Sequence, residues 1–587
     1  MIRLTNIILL FVGLSPALSQ IDTEDTTDVE IENLVEQITD EEDSQLLDVF
    51  ETEPIIVREN IWSLPSVAVR SRIRQKLQTS RGYKDGKYLG SPIVSYQRIK
   101  LNQGENISGG LLVEKDAGER KFNDYTNYFI RIQNLGFIKS VLIGDYVIEA
   151  GQGLVMWRGY DFTKGANIKA GSIRKGRDLM PHLSSDEVGF LRGVAFQLHW
   201  RSFGGLIFYS NRNLSASVDS ASVVTSFYSG YYRTNSEIAK RANLNEKVFG
   251  ARIIYDLYGD FKFGLTWFRS SYSKQIKVAT NNFFSNYGFD FTFKIERFSL
   301  HGEVASNSKM DFNGINVLTI SPNAFIDVVA LYRNYSPYYF NRLANPFGES
   351  FGGSNEEGFF VGLELNLLKG IKLIGYSDKF VFPKSKELNF SKRGNEYLSQ
   401  FEYKMNKNLF VTLRYKKISS DDFQKGLDNM NREIRIIDPS VRSNYRINVD
   451  YDLSKFLRLR WRFEYRTVTS NITKVTEIGR MLFHDLSIKP KKRFTLNFRI
   501  SYFKSDSYFS GISQYENDLL GVLSIPVLYG RGIKWYLLLK YQIINSLDLS
   551  FKYSYLIRED VKKIGSGWDE LPANVDNRIG LQLDLKL

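Results

Sequence analysis

Between Leu457 and Arg466 the chain alternates without a break: Leu457, Leu459, Trp461, Phe463 and Tyr465 are apolar, whereas Arg458, Arg460, Arg462, Glu464 and Arg466 are charged. Successive side chains of a β-strand point to opposite faces, so a strand here has one apolar face and one charged face. It needs hydrocarbon on one side and water on the other. The period recurs down the chain. Tyr128, Ile130 and Ile132 alternate with Arg131 and Gln133, and Val411, Leu413 and Tyr415 with Thr412, Arg414 and Lys416. Phe494 to Tyr502 and Leu547 to Tyr555 repeat the pattern. Each run approaches the roughly 9 to 11 residues that a tilted strand needs to cross a bilayer.

Such runs begin near residues 67, 92, 105, 126, 138, 188, 203, 247, 260, 286, 298, 314, 324, 357, 370, 395, 408, 442, 456, 477, 493, 517, 532, 545 and 577. They predict an all-β fold, a transmembrane antiparallel β-barrel of about 24 strands (22 to 26), even numbers being the rule in one-chain bacterial barrels. The final run, Ile579, Leu581, Leu583, Leu585 and Leu587 against Gly580, Gln582, Asp584 and Lys586, is the strand expected to close the barrel on the first.

Composition agrees. Aromatic residues make up 14% of the chain, with 34 Tyr and 42 Phe, as strand propensity and interfacial aromatic girdles require. Beyond the N-terminus no apolar stretch reaches the roughly 18 residues of a helical span. Residues 1–19 read as a secretory signal: basic Arg3, apolar Ile7 to Leu14, and Ala17-Leu18-Ser19 before a cut at Gln20. The chain has no cysteine, which excludes disulfides, thiolate metal sites and a cysteine-borne lipid anchor.

Charge divides the mature chain. Residues 21 to 53 hold fourteen Asp and Glu and no Lys or Arg, so the formal +13 of the whole becomes 13 + 14 − 1 = +26 for residues 54 to 587 once that stretch and Arg3 are set aside. Residues 20–66 read as an acidic periplasmic leader, either two short helices or a disordered tail. Residues 67–587 read as the barrel. Long connections are expected at Gly151 to Glu187, Asn213 to Glu246, Tyr335 to Glu356, Ser419 to Pro439 and Glu559 to Asn574.

Several phrases stand out from the alternation: Gly144-Asp145-Tyr146, Gly151-Gln152-Gly153 leading to Trp157-Arg158-Gly159, Ser184-Ser185-Asp186-Glu187, and Phe190-Leu191-Arg192-Gly193. Arg333-Asn334-Tyr335-Ser336, Phe347-Gly348-Glu349-Ser350, Asn355-Glu356-Glu357-Gly358 and Tyr376 to Pro383 follow. Together they resemble a family of large outer-membrane barrels from the Bacteroidota and Chlorobi lineages, usually catalogued as helix-hairpin-helix domain-containing proteins. The resemblance covers much of residues 85 to 385 and implies an outer-membrane barrel behind an acidic helical leader. The helix-hairpin-helix module is missing here, because Glu51 to Leu64 has no room for two helical hairpins. With it goes the family's implied nucleic-acid binding.

The candidate chemistry is cationic. Arg158, Lys164, Lys169, Arg174, Lys175 and Arg177 make the Gly151 loop basic, and that loop either folds inward as a constriction for anions or packs on the rim. Arg192, Arg333, Arg414, Arg458, Arg460 and Arg462 are expected to face the lumen, since an arginine in mid-bilayer lipid costs roughly 2 to 4 kcal/mol. There they either pair with Asp145, Glu187, Glu349, Glu356 or Asp378, or form a ladder for anionic solutes. His182, His199, His301 and His484 lack metal-ligand spacing, and no Gly-x-Ser-x-Gly elbow is present. No cofactor or metal is expected. The reading is a pore or transport component with a cationic lumen, with outer-membrane lipid, anionic or glycan solutes and the barrel-assembly machinery as partners. The alternative is a plugged barrel that binds surface glycan or serves envelope assembly, and a hydrolase ranks last.

Overall fold

The computed structural model describes residues 65–157, 164–228, 230–277, 282–350, 352–383, 391–427, 433–491 and 493–587. The expected signal peptide, all but the last residues of the expected leader, and Arg158 lie outside the described residues. The chain forms a closed antiparallel barrel of 24 strands, the number the alternation predicts. Each barrel strand pairs with its neighbours in sequence, and the circle closes where Ser66–Lys76 meets Val575–Lys586, from Ala68 opposite Lys586 to Lys76 opposite Arg578. Closure leaves the first and last strands without a free edge, so the ladder satisfies backbone groups that lipid could not.

The two faces separate as the sequence dictates. In the strand Leu457–Ser470, Phe463 is 44% exposed while Arg462 and Glu464 beside it are buried. Ile130, Phe249, Leu265, Phe359, Leu413 and Ile447 likewise face outward. Outward aromatics group toward both ends: Phe261, Phe263 and Phe293 near the short turns, and Trp535, Tyr553 and Tyr555 near the long connections. A closed barrel with an apolar belt between aromatic girdles is an outer-membrane barrel. All long connections emerge at one end. The short turns gather at the other, together with the start of the first strand and the end of the last.

Two expectations about connections change. Ser419 to Pro439 is a continuation of the wall: Leu409–Leu427 and Glu433–Ser454 stay paired from Leu409 opposite Tyr451 to Leu427 opposite Glu433, well past the length that crosses a bilayer. Residue 517 belongs to no barrel strand. It lies in a connection from Asp506 to Gly530 that turns into the barrel and folds on itself through the two-residue pairing of Ile512–Ser513 with Val527–Leu528 and a bridge between Glu516 and Ser524.

The interior is occupied. Leu154, Val155 and Ile168 from the connection after Glu149, and Phe347 from the connection after Tyr335, pack on inward-facing Phe208, Val317, Leu331 and Phe360 as one apolar cluster. Leu519 and Val522 of the Asp506 connection pack on Tyr536 and Leu538 opposite. These inward positions carry core residues because chain, rather than water, lies against them.

Placing an arginine on the lipid face tests the assignment of faces. Phe463→Arg should cost about 2–4 kcal/mol of folding stability in lipid vesicles, read by denaturant unfolding, whereas an outward aqueous surface would tolerate it.

Candidate functional site

The wall breaks its regularity at Gly144. The strand Ile138–Glu149 pairs with Tyr125–Leu135 only as far as Gly144 opposite Phe129. Its last six residues, Gly144 to Glu149, are then buried on both faces. Gly144, Asp145 and Tyr146 part from Tyr125–Leu135 but stay paired with Gly193, Arg192 and Leu191 on the other side, and the strand then runs into the lumen with the short strand Asp178–Pro181 as a new partner, from Tyr146 opposite Pro181 to Glu149 opposite Asp178. Gly144 allows this bend. Its φ is 107°, and a Cβ there would collide with the Tyr128 carbonyl.

Departure orphans backbone groups on Tyr125–Leu135, and two side chains replace the lost ladder. Asp145 Oδ2 accepts from Tyr128 N (2.9 Å), and Arg192 Nη2 donates to Thr126 O (2.8 Å). The two are themselves joined through Arg192 Nε to Asp145 Oδ1 (2.5 Å). A charge-assisted pair thus closes the seam where hydrogen bonds between strands end. Arg192 shares the outward side of its strand with Phe196, so it does not face the lumen as expected. Its partner carboxylate and the position at the long-connection end remove the cost that the expectation assumed.

Past Glu149 the chain is held from several directions. Arg177 forks onto the Glu149 carboxylate, with Nε to Oε2 at 2.7 Å. Glu303, buried on the inward face of Phe298–Asn307, accepts from three consecutive-turn amides: Gln152 N (2.6 Å), Leu154 N (2.9 Å) and Val155 N (3.0 Å). Gly151 lies against Glu303, and Gly153 sits at φ 89° against the Asn345 carbonyl. Gln152 exchanges hydrogen bonds with the Arg174 backbone. Trp157 N donates to Leu343 O, and the Arg174 guanidinium lies 5.2 Å from the Trp157 ring centre.

A second buried cluster joins this segment to the connection after Tyr335. Arg333 donates to Glu356 through Nε (2.6 Å) and to Asp378 through Nη1 and Nη2 (2.9 and 3.0 Å). Glu356 also accepts from Glu349 N and Ser350 N, and Tyr335 OH donates to Phe347 O. Lys164, from the inward segment, contacts Glu349, Asp378 (2.6 Å) and Glu396 (3.8 Å). Arg333, Glu349, Glu356 and Asp378 are therefore brought together as expected, and for bracing. Asn334 faces outward, and Asn355 turns the chain at φ 57° with its N–H on Ser336 O.

Across the barrel the arginine face of Leu457–Ser470 points inward as predicted. Arg458 pairs with Asp452 (2.6 Å), Arg460 with Asp450 (2.5 Å), and Arg462 Nε donates to Asn448 (2.7 Å). Arg466 and Arg499 reach the Asp506 connection at the carbonyls of Gly511 and Tyr515. Lys534 pairs there with Glu516 (2.8 Å) and Lys552 with Asp518 (2.7 Å). Arg414 is buried on the inward side of its strand, opposite Arg446. Sequence reasoning missed this second inward connection. The polar Gln514, Glu516 and Asp518 next to apolar Leu519 and Leu520 are its one local sign. Glu303 was also missed, as was Lys416, which pairs with Glu396 (3.1 Å), each hidden within an ordinary strand. His301 is buried facing inward, its Nδ1 bonded to Thr292 Oγ1 at 3.1 Å.

At the seam Asp186 N is held by Ser184 Oγ, and Tyr125 OH donates to the Asp186 carbonyl. Beyond it Glu119 ties two long connections together, accepting from Asp116 N (2.9 Å) and Tyr232 N (2.9 Å). Burial first, and then the neighbouring carboxylates, push both Asp116 and Glu119 up to about 7, with Lys115, Arg74 and Arg233 close by.

No family model and no curated protein sequence matches the chain. Among solved structures it is similar to the siderophore receptor PirA from Pseudomonas aeruginosa (7% identity, 89% of this chain and 80% of that one, TM-score 0.42). It is also similar to the copper transporter OprC (8%, 89% and 80%, 0.44) and to OmpT, an outer membrane protein of Vibrio cholerae (11%, 58% and 98%, 0.29).

Asp145→Ala leaves the Tyr128 amide without an acceptor, which costs about 1–3 kcal/mol. Hydrogen exchange at Tyr128 should accelerate about 5-fold or more, with strands remote from the seam unchanged. A second outcome follows from the raised carboxylates. A carboxyl group whose folded value is raised binds more protons folded than unfolded, so its contribution falls as pH climbs from the ordinary carboxylate range through about 7. Corrected for intrinsic rate, Tyr232 N–H should be better protected at pH 5.5 than at pH 8, and Asp116→Asn should flatten the difference.

Proposed function

We propose that this outer-membrane barrel is a transport component whose path is closed at rest by its own segment from Glu149 to Phe190, and that solute passes when the segment releases from the wall. One observation carries the reading: the segment meets the inner wall through side-chain contacts that can break, the Glu303 carboxylate holding three of its backbone amides at one point and Asp378 and Glu396 holding Lys164 at another. A covalently continuous filler would need no such latch, whereas a gate needs contacts that can break together.

The cationic path belongs to the same reading. Away from the segment the inner wall carries Arg446, Arg460, Arg462 and Arg466 against Glu464 and Asp450, an excess of positive charge that favours anionic solutes. Enzymatic chemistry has weaker support, since His301 is spent on Thr292 and His182 Nε2 bonds to the Asp186 carbonyl.

The chain contains no native cysteine, so one engineered pair can lock the gate. A Cβ on Gly288 would stand 3.4 Å from Val155 Cβ, about the separation a disulfide requires. With Val155→Cys and Gly288→Cys together, the reduced protein should conduct ions in planar bilayers, with anions preferred, and the oxidised protein should fall silent. Equal conductance in both states, with the crosslink verified, would contradict the proposal.

A further inference from the structure

Where the wall parts at Gly144, a cavity of about 540 Å³ opens at the long-connection end. Its lining crosses the wall: Thr126 and Arg192 come from the outward side, Tyr125 and Arg212 from the inward side, and Tyr228 and Arg241 from the connection between Leu214 and Leu244. This volume lies within the range of small-ligand sites, and the lining is mixed in a particular way.

Its cations are already engaged. Arg192 is joined to Asp145, and Arg241 Nη1 donates to Asp124 Oδ1 (2.7 Å) while its Nη2 reaches the Asp124 carbonyl. Arg212 donates to the carbonyls of Phe190 and Glu187 and stacks 3.9 Å from the Phe190 ring centre. An anion would have to compete with fixed carboxylates for the first two. The cavity offers a partly exposed aromatic face instead, that of Tyr228, which stands 5.9 Å from buried Tyr232, whereas Phe190 is covered by Arg212 and by the stacked His182 ring. Beside them stand side chains that either donate or accept: the amides of Asn211 and Asn213, each giving its oxygen to Asn245 Nδ2 and keeping its own N–H groups, and the carboxylate of Glu187, which has no hydrogen-bond partner among the described residues.

A sugar ring has one face of C–H groups that packs on an aromatic ring and a rim of hydroxyls that both donate and accept. Stacking surface, amide and carboxylate in a charge-balanced cavity match that chemistry on both counts. We infer that the cavity at the seam is a saccharide-binding site, for neutral rather than acidic sugar units. It faces the end of the barrel where both soluble oligosaccharide and the sugar headgroups of outer-leaflet glycolipid are within reach. The inference rests on the closed state of the gated-transport reading, because Glu187 and Phe190 end the inward segment, but sugar binding is read whether or not the latch on Glu303 ever opens, so the two fail separately.

The test uses the full-length barrel in detergent on an array of neutral and uronic-acid oligosaccharides of three to five units, and in nanodiscs with and without lipopolysaccharide. Wild type should bind neutral oligosaccharide, or bind lipopolysaccharide nanodiscs in preference to plain ones. The first result assigns a soluble ligand and the second a lipid-borne one. Glu187→Gln and Tyr228→Ala should each weaken that binding at least 10-fold while leaving the heat-dependent gel shift of the folded barrel unchanged. Absence of binding on every arm, equal binding by both variants, or displacement of the sugar by potassium phosphate would overturn the inference.

Discussion

In hydrocarbon a backbone N–H or C=O has no water to bond, and leaving one unpaired costs several kcal/mol. The architecture follows from that constraint. It requires the ladder to close on itself, which is why Ser66–Lys76 and Val575–Lys586 meet in full register. It also dictates what happens when a strand leaves the wall. The strand that turns inward at Gly144 exposes an edge, and Asp145 and Arg192 supply the acceptor and donor that the departing backbone takes away. The phrases around residues 144 and 190 are thus one device, a glycine to bend the strand and an ion pair to repair the wall.

Bending the strand has a second consequence. It delivers the chain from Glu149 onward into the lumen, where it needs both apolar partners and anchors for its own backbone. The wall supplies apolar residues at inward positions such as Val317, Leu331 and Phe360, and carboxylates such as Glu303 and Glu356 that accept several amides each. Charges inside serve mostly as braces. Arg333 between Glu356 and Asp378, and Lys164 among Glu349, Asp378 and Glu396, bind segments distant in sequence into one interior. Such pairs gain little net stability over an apolar core, but a missing partner is costly, so they fix the arrangement sharply.

The wall was legible in the sequence because lipid on one side and polar surroundings on the other impose a period of two on every strand. The run from Leu457 to Arg466 has that form, and its arginines do turn inward. What the period cannot carry is the content of the lumen. Glu303 looks like any inward polar residue until the amides of Gln152, Leu154 and Val155 arrive from some 150 positions away in the chain. Residues near 517 alternate well enough to pass for a strand, and only the pairing of the true neighbours, Phe494–Ser505 with Arg531–Ile544, shows them to be an inward connection. Arg192 misled for a related reason: the cost of an outward arginine is set by depth and partner, and neither Asp145 nor the end of the ladder is visible in a local window.

Native-state hydrogen exchange at Gln152, Leu154 and Val155 measures directly whether the Glu303 carboxylate latches this turn of the inward segment to the wall. With Glu303 intact these three amides should be protected together, well beyond the exposed connections, and Glu303→Gln should release all three at once while Asp584-paired residues of the closing strands keep their protection. Exchange of the three at the rate of exposed connections in the wild type, or independent release of each, would contradict a latched interior.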